Sequence, residues 1–481
     1  MGRVSAVRTL AFASALAAAT IGGVVQAGAA STPLNVDVSR WQYQGQPSNE
    51  SEEAIAVNPT NPNNIVMVTN VDIPEAGMFE GVSFDGGKTW PVRRLIGNND
   101  NLGDACCDPS LAFDKFGNLY LSYLYNTEIP VPVALSTDGG LTFNIIANIK
   151  RNSTDTTLLA EKKNLFRYTD QETITTGPAS DGSNNEQVWL VVSAAGPIVA
   201  TGAVATGLGQ VGSFSVPVEV PGTNNCTYGD VSIGPKGQVA NVCTTTESGQ
   251  GGGKLNVSVD PDGLGPAPFG ASVFVTDTHV GGFDFIPPQP DRSVDAEPGL
   301  AWDRSGSAHR GRLYLVYTLE VKNESDNTDV MLRYSDNQGA TWSAPLRVND
   351  DATKNSQFMP KISLDQTTGN LAFVWYDSRK DLGLGGSGDT DGLPDTDAQF
   401  WGAFSVNGGA SVTRNFQISA GTSNSHASGN HIDYGDYTGL SFYGGIAHPG
   451  WSDNSNSTGD NPDGTLHQLD VFSAAVPVRS R

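Results

Sequence analysis

Ser83-Phe84-Asp85-Gly86-Gly87-Lys88-Thr89-Trp90 is the stretch on which the fold turns, because it comes back. Ser136-Thr137-Asp138-Gly139-Gly140-Leu141-Thr142-Phe143 is a close copy, and Ser335-Asp336-Asn337-Gln338-Gly339-Ala340-Thr341-Trp342 is another with Asn337 in the Asp place. Ser405-Val406-Asn407-Gly408-Gly409 is weaker, and Ser258-Val259-Asp260 with Gly263 is weaker still. Each copy spells a tight hairpin. The Ser and Asp side chains bond to nearby backbone amides, and glycine enters the left-handed region at no steric cost. The closing Trp or Phe folds back as an apolar plug.

A second repeat runs beside the first: an alternating strand, a turn, then a hydrophobic strand. Its copies are 52–70, 107–124, 171–193, 230–244, 297–317, 359–376 and 437–451. They recur roughly 60 residues apart, room for four strands with loops, which is the signature of a propeller blade. The expected fold is an all-β propeller of seven four-stranded blades, with six as the alternative count. The last blade has room for three strands, the third over 469–476. The alternating segment 34–39 can supply the fourth and close the ring, leaving only short edges.

The S-x-D-x-G-x-T-W units resemble the Asp-box, or bacterial neuraminidase repeat, of the sialidase-like superfamily. The resemblance covers the repeat skeleton of nearly the whole mature chain. It implies that each box joins the third and fourth strands of a blade, and that ligands are held on the opposite face. It also implies a chemistry to look for: three arginines on a carboxylate, a Tyr nucleophile paired with Glu, and an Asp acid/base. Arginines expected at that face are Arg167, Arg292 and Arg379. Asp108 is the candidate acid/base, and Tyr434 or Tyr437 beside Glu172 or Glu297 is the candidate nucleophile pair. The Phe/Tyr-Arg-Ile-Pro segment of sialidases is here Val71-Asp72-Ile73-Pro74, without the arginine.

The residues themselves crowd acids at that face. The first position of the inner strand is Glu52, Asp108, Asp230 and Glu297 in four blades, with Asp170 and Glu172 flanking it in blade 3 and Asp436 beside it in blade 7. Converging carboxylates repel, so such a ring needs protons, a cation or wide spacing. The competing reading is that each acid caps its own turn. His431-Ile432-Asp433-Tyr434-Gly435-Asp436-Tyr437, with His448 and Trp451 close behind, mixes rings and polar groups as a sugar site does. His431, Asp436 and Trp451 are therefore candidate ligand-binding residues.

Alternating acids in Asp389-Thr390-Asp391-Gly392-Leu393-Pro394-Asp395-Thr396-Asp397 are the pattern that wraps Ca2+ in oxygen ligands. Asp389, Asp391, Asp395 and Asp397 are the expected ligands, and Asp453, Asp460 and Asp463 form a second acidic loop. No organic cofactor motif is present. Cys226 and Cys243 flank a turn and are expected to pair. Adjacent Cys106 and Cys107 form either a vicinal bridge or two free thiols.

Arg3 and Arg8 precede an apolar run and then small residues, the pattern of a leader cleaved after Ala27 or Ala30. Residues 1–30 are read as a signal peptide and 31–481 as one propeller domain, secreted or periplasmic and monomeric, with no membrane attachment after cleavage. Of 481 residues 56 are Gly and 27 Pro, which suits many short strands and turns. The net charge of −23 argues against nucleic acid and anionic membranes as partners. The expectation is a glycan-directed propeller that binds at the channel mouth. The alternatives are an exo-acting, sialidase-like glycoside hydrolase and a non-catalytic, calcium-stabilised scaffold or adhesion propeller.

Overall fold

The computed structural model describes residues 1–2, 33–40, 48–126, 130–150, 170–193, 197–246 and 249–478. The chain divides into Met1–Ser31 and Thr32–Arg481. The leader expected over residues 1–30 lies outside the described residues except for its first two.

Seven blades follow one another in the larger unit. Their inner strands are Glu50–Val57, Ala105–Phe113, Asp170–Pro178, Cys226–Ile233, Gly299–Trp302, Gln357–Leu364 and Gly439–Tyr443. Each inner strand packs against the next, and the seventh returns to the first. Blade 1 shows the common plan, with Glu50–Val57, Ile65–Val71, Met78–Ser83 and Val92–Ile96 in antiparallel order. Blade 7 is completed from the far end of the chain. Asn35–Asp37 pairs with Asp470–Ala474, Asn35 opposite Ala474, and the Val38 N–H donates to Val471 O at 2.8 Å. The expected count and the expected closure both hold.

The core is distributed between blades. Val66, Val68 and Val82 of blade 1 meet Leu119, Leu121 and Ala134 of blade 2. Aromatic side chains dominate the join between blades 6 and 7, where Tyr376 stacks on Tyr434 and Phe400 on Trp451. Such faces cannot be buried by one blade alone, which is why the repeats come as a set.

Four turns between third and fourth strands are built alike. Ser83 Oγ accepts from the Gly87 N–H and Asp85 Oδ1 from the Thr89 N–H, both at 2.9 Å. Ser136 with Asp138, Ser335 with Asn337 and Ser405 with Asn407 repeat this network. Gly87, with φ 80°, occupies the left-handed region that the turn requires. The weakest copy differs: Asp260 Oδ1 takes the Asp262 and Gly263 N–H groups, and Ser258 Oγ has no partner.

At the opposite face the inner strands share a second feature. Their pairing slips between Ser51 and Ala54, Cys107 and Ser110, Asp170 and Thr173, Thr227 and Gly229, and Phe358 and Lys361. Non-glycine residues with positive φ occupy four of these slips: Glu52 at 60°, Asp108 at 56°, Gln171 at 42° and Met359 at 51°; Glu297 joins them at 37°. Bulges of this kind re-aim side chains. Here they turn the strand starts toward the axis of the ring.

Between blades 4 and 5 the chain inserts a hairpin, Asp284–Ile286 with Gln289–Val294. It docks on the loop before blade 7. Gln289 Nε2 donates to Gly435 O at 2.9 Å, and Asp433 Oδ2 accepts the N–H groups of Asp291 and Arg292 at 2.8 and 2.9 Å.

Candidate functional site

The bulges bring acids from different blades to the upper mouth of the channel, and backbone amides fix their places. Asp108 Oδ2 accepts the Gln171 N–H of the next blade at 3.0 Å, and Glu52 Oε1 accepts the Asp436 N–H of the previous blade at 3.1 Å. Asn70 links these two acids: its Oδ1 accepts the Asp108 N–H at 2.9 Å and its amide donates to Glu52. Asp230 Oδ2 likewise accepts the Leu300 N–H of the next blade at 2.7 Å, and Lys361 is the charge that acts most on it. The docked hairpin adds Arg292, which pairs with Asp436, and just beyond it Asp295 accepts the Glu297 N–H at 2.6 Å.

The result is a set of buried acids that act on one another. Burial raises Glu52 well above the usual carboxylate range, and Asp108 and Asp436 add to the rise. Burial lifts Asp170 and Asp295 to about 7, with further repulsion from Asp108 on the first and Asp436 on the second. Glu172 and Glu297 are also raised well above the usual range, by burial first and then by Asp108 and Asp295 respectively. Asp108 and Asp436 are raised by burial as well, against the Gln171 amide in one case and Arg292 in the other. The expected convergence is therefore seen for six of these acids, and Asp295 joins them.

Below the mouth the channel holds a cavity of about 200 Å3, lined by Glu172, Glu297, Asp230, Lys361 and Tyr437 among others. Both carboxyl oxygens of Glu172 and Oε2 of Glu297 have no hydrogen-bond partner, although they are buried. The residue's own N–H and the Ser122 hydroxyl face the Glu172 carboxyl without closing a hydrogen bond. Lys361 of blade 6 places its ammonium 5.9 Å from the centre of the Tyr437 ring. At the lower end Arg304 crosses from blade 5, donating to Thr176 O at 2.8 Å and Ile233 O at 3.2 Å.

Several expected site residues lie elsewhere. Tyr434 is fully buried, its ring 4.2 Å from that of Tyr376, and Trp451 is fully buried against Phe400. Both are interior packing between blades 6 and 7, not channel residues. Rings at a strand start satisfy a core as readily as a sugar site. His448, 4% exposed, lies beside Gly87 at the face of the turns, and burial lowers it to about 4. His431 is 85% exposed beside Asp291 on the docked hairpin. Tyr437 does lie in the channel, its hydroxyl 3.4 Å from Pro109 O. Burial and the surrounding charges of Asp108, Glu52, Glu172 and Asp436 push its ionisation well above normal, which opposes a phenolate nucleophile.

The three-arginine clamp is not assembled by the described residues. Arg167 lies outside them. Arg379 is held by Asp377 at 2.7 Å, Asp350 at 2.8 Å and Asn415 at 2.9 Å, and it stacks over Trp401 at 4.2 Å. That setting is the join of blades 5 and 6. Of the two described arginines, Arg292 reaches the acids.

The acidic loop also assembles differently from expectation. Oxygens of Asp381, Asp389 and Asp397 lie within 4.8 Å of one another. Asp395 turns away to accept the Ser356 N–H at 2.8 Å, and Asp391 accepts the Leu393 N–H at 2.8 Å. Asp381 was not expected because it stands eight residues before the alternating run. Its Oδ2 accepts both the Thr396 and Asp397 N–H groups, at 2.7 and 2.8 Å. Both disulfides are present, Cys226–Cys243 across the first two strands of blade 4 and the vicinal Cys106–Cys107 beside Asp108.

Sequence reasoning missed Asp295 and Lys361. Lys361 had a signal: it stands two residues after Met359, at the inward position of the one blade that offered no acid.

No family model and no curated protein matches the chain. Solved structures do resemble it. A protein of unknown function from Dyadobacter fermentans aligns over 93% of this chain and 99% of its own, at 11% identity and a TM-score of 0.47. A lectin, BP39L, from Burkholderia pseudomallei aligns over 76% and 84% at 10% identity and 0.46. The Hadza microbial sialidase Hz136 aligns over 87% and 75% at 12% identity and 0.44. Identities near a tenth and scores below 0.5 leave the chemistry of the channel to be read from its own residues.

Proposed function

We propose that this chain is an exported, glycan-directed propeller that takes its ligand at the upper mouth of the central channel. The observation that carries the reading is the pair Glu172 and Glu297. Both line one cavity, and both keep buried carboxyl oxygens without a protein donor. Leaving such groups unpaired is costly. Sugar hydroxyls supply the missing donors, and the Tyr437 ring beside them offers an apolar face. The resemblance of the S-x-D-x-G-x-T turns to the Asp-box supports a place in the sialidase-like superfamily. The missing arginine motif and the excess of acid argue against a sialic acid as ligand.

A hydrolase is the second reading, and one observation favours it. Burial raises Glu172 well above the usual carboxylate range, which is the direction a general acid needs. In that case the partner is a carboxylate of the ring, with Asp108 or Glu297 as candidate, and not a tyrosine. Calcium is proposed at Asp381, Asp389 and Asp397, whose clustered oxygens suit a hard cation. Chelation is then expected to lower the melting temperature, and Asp389→Asn to remove that response.

A glycan array and a panel of chromogenic glycosides test these readings, with the wild type beside Glu172→Gln and Glu297→Gln. Binding that both variants lose supports the glycan site. Turnover lost in Glu172→Gln makes it an enzyme. Neither binding nor turnover on any glycan leaves a scaffold and overturns the proposal.

A further inference from the structure

We infer that the mouth of the channel is built for a ligand carrying a protonated amine, so that among glycans it selects amino sugars. This rests on the glycan reading above and narrows it. Charge is the first argument. Seven carboxyl groups act on one another around the mouth, and the described cations that act on them are Arg292 and Lys361.

The two cations are unevenly placed. Arg292 acts on Glu52, Asp170, Asp295 and Asp436, and Lys361 acts on Asp230 and Glu297. The charges that act most on Glu172 are the anions Asp108 and Asp170. Glu172 is 3% exposed, lines the cavity, and has no hydrogen-bond partner on either oxygen. It is the acid for which the protein supplies least, and it lines the cavity through which a ligand would reach it.

Lys361 shows that this channel accommodates an ammonium. Its charged end lies near Asp230 and Glu297 with the Tyr437 ring 5.9 Å away, an arrangement in which carboxylates and the negative face of a ring act together. Tyr437 also faces Glu172. A ligand ammonium entering on the Glu172 side would meet the same pair of partners, and its three N–H donors match oxygens that have none. A buried charge is tolerated when it is paired and hydrogen-bonded. An acetamide in the same place brings one donor and no charge.

Chitosan oligomers and chitin oligomers of equal length differ in that group and test the inference by calorimetric titration. Chitosan is expected to bind at least about tenfold more tightly. Glu172→Gln is expected to remove the preference while thermal melting shows the fold intact, and Glu297→Gln serves if the first variant is not stable. Equal or tighter binding of chitin oligomers overturns the inference and leaves the glycan reading standing. Binding of spermidine with neither oligomer keeps the ammonium pocket and removes the glycan reading. Silence toward all three probes removes both.

Discussion

The molecule buries acids in two places, and the two clusters obey different rules. One is the channel mouth. The other is the seam where the N-terminal strand completes blade 7. At the seam Asp37, Glu50 and Asp470 are at most 3% exposed. Each commits one oxygen to a protein donor: Asp37 to the Arg40 N–H at 2.7 Å, Glu50 to Ser48 Oγ at 2.8 Å, Asp470 to Ser39 Oγ at 3.3 Å. Each leaves the other oxygen without a partner. Burial pushes Asp37 up to about 7 and Asp470 to about 10. So burial, raised ionisation and unpartnered oxygens occur at both sites and do not by themselves mark function. The mouth differs in that acids from several blades surround one cavity at the axis, whereas the seam acids hold together strands from the two ends of the chain.

The largest effect is expected from breaking the seam itself. Deleting residues 33–38 removes the ladder to Asp470–Ala474 and the fully buried Val38, a side chain that contributes about 1.5–3 kcal/mol on its own. Calorimetry is expected to show melting lowered by several degrees, with recovery when a peptide of residues 33–40 is added. Unchanged melting would mean that the ring does not need this closure.

The seam should next declare itself through pH. Its carboxyls have raised folded values, so the native state holds protons more tightly than the unfolded chain, whose acids titrate near 4. Their contribution is fully present below about pH 4. It is lost as pH rises through about 7 for Asp37 and about 10 for Asp470. Urea melts from pH 4 to 9 are expected to show stability falling with pH. The mouth acids carry the same sign, so the seam is isolated by difference: Asp470→Asn is expected to flatten part of the slope. A slope that Asp470→Asn leaves unchanged would remove the seam from the account.

Within the mouth, Asp108 and Glu172 separate a capping acid from a free one. Asp108→Ala strips the Gln171 N–H of its acceptor and is expected to cost about 1–3 kcal/mol in denaturant melts. Asp108→Asn keeps an acceptor oxygen and is expected to recover most of that loss. If the two variants fall equally, charge and not the amide cap holds Asp108 in place.

The fold was legible because it is local and repeated. Ser83 with Asp85 and Gly87 specifies a turn without reference to the rest of the chain, and the spacing of the copies sets the count of blades. The acids at strand starts were legible for the same reason, since Glu52, Asp108 and Glu297 hold equivalent positions. Long-range facts were not. Asp295 reaches the mouth because an inserted hairpin docks on a distant loop, and Asp381 joins Asp389 and Asp397 through loop closure. Glu50 stands in the run Glu50-Ser51-Glu52-Glu53, four polar residues at 0 to 5% exposure. An alternating reading would expose half of them, but the bulge and the neighbouring blades bury all four. Tyr434 and Trp451 failed for the opposite reason. Their composition fitted a site and a core equally, and only packing distinguishes the two.

The smallest effect on stability is the one that sharpens the comparison most. Burial opposes the charged form of Glu172, and neither oxygen anchors the backbone amide of another residue. Glutamine is nearly its shape and carries no charge, so Glu172→Gln removes a carboxyl whose charge burial opposes and takes no acceptor from a neighbouring backbone amide. Melting at neutral pH is expected to stay within about 0.5 kcal/mol of wild type, or to rise slightly as repulsion from Asp108 and Asp170 is relieved. Ligand binding is expected to fall in the same protein. A loss of stability as large as that of Asp108→Ala would make Glu172 part of the scaffold, and the mouth would then be a second seam.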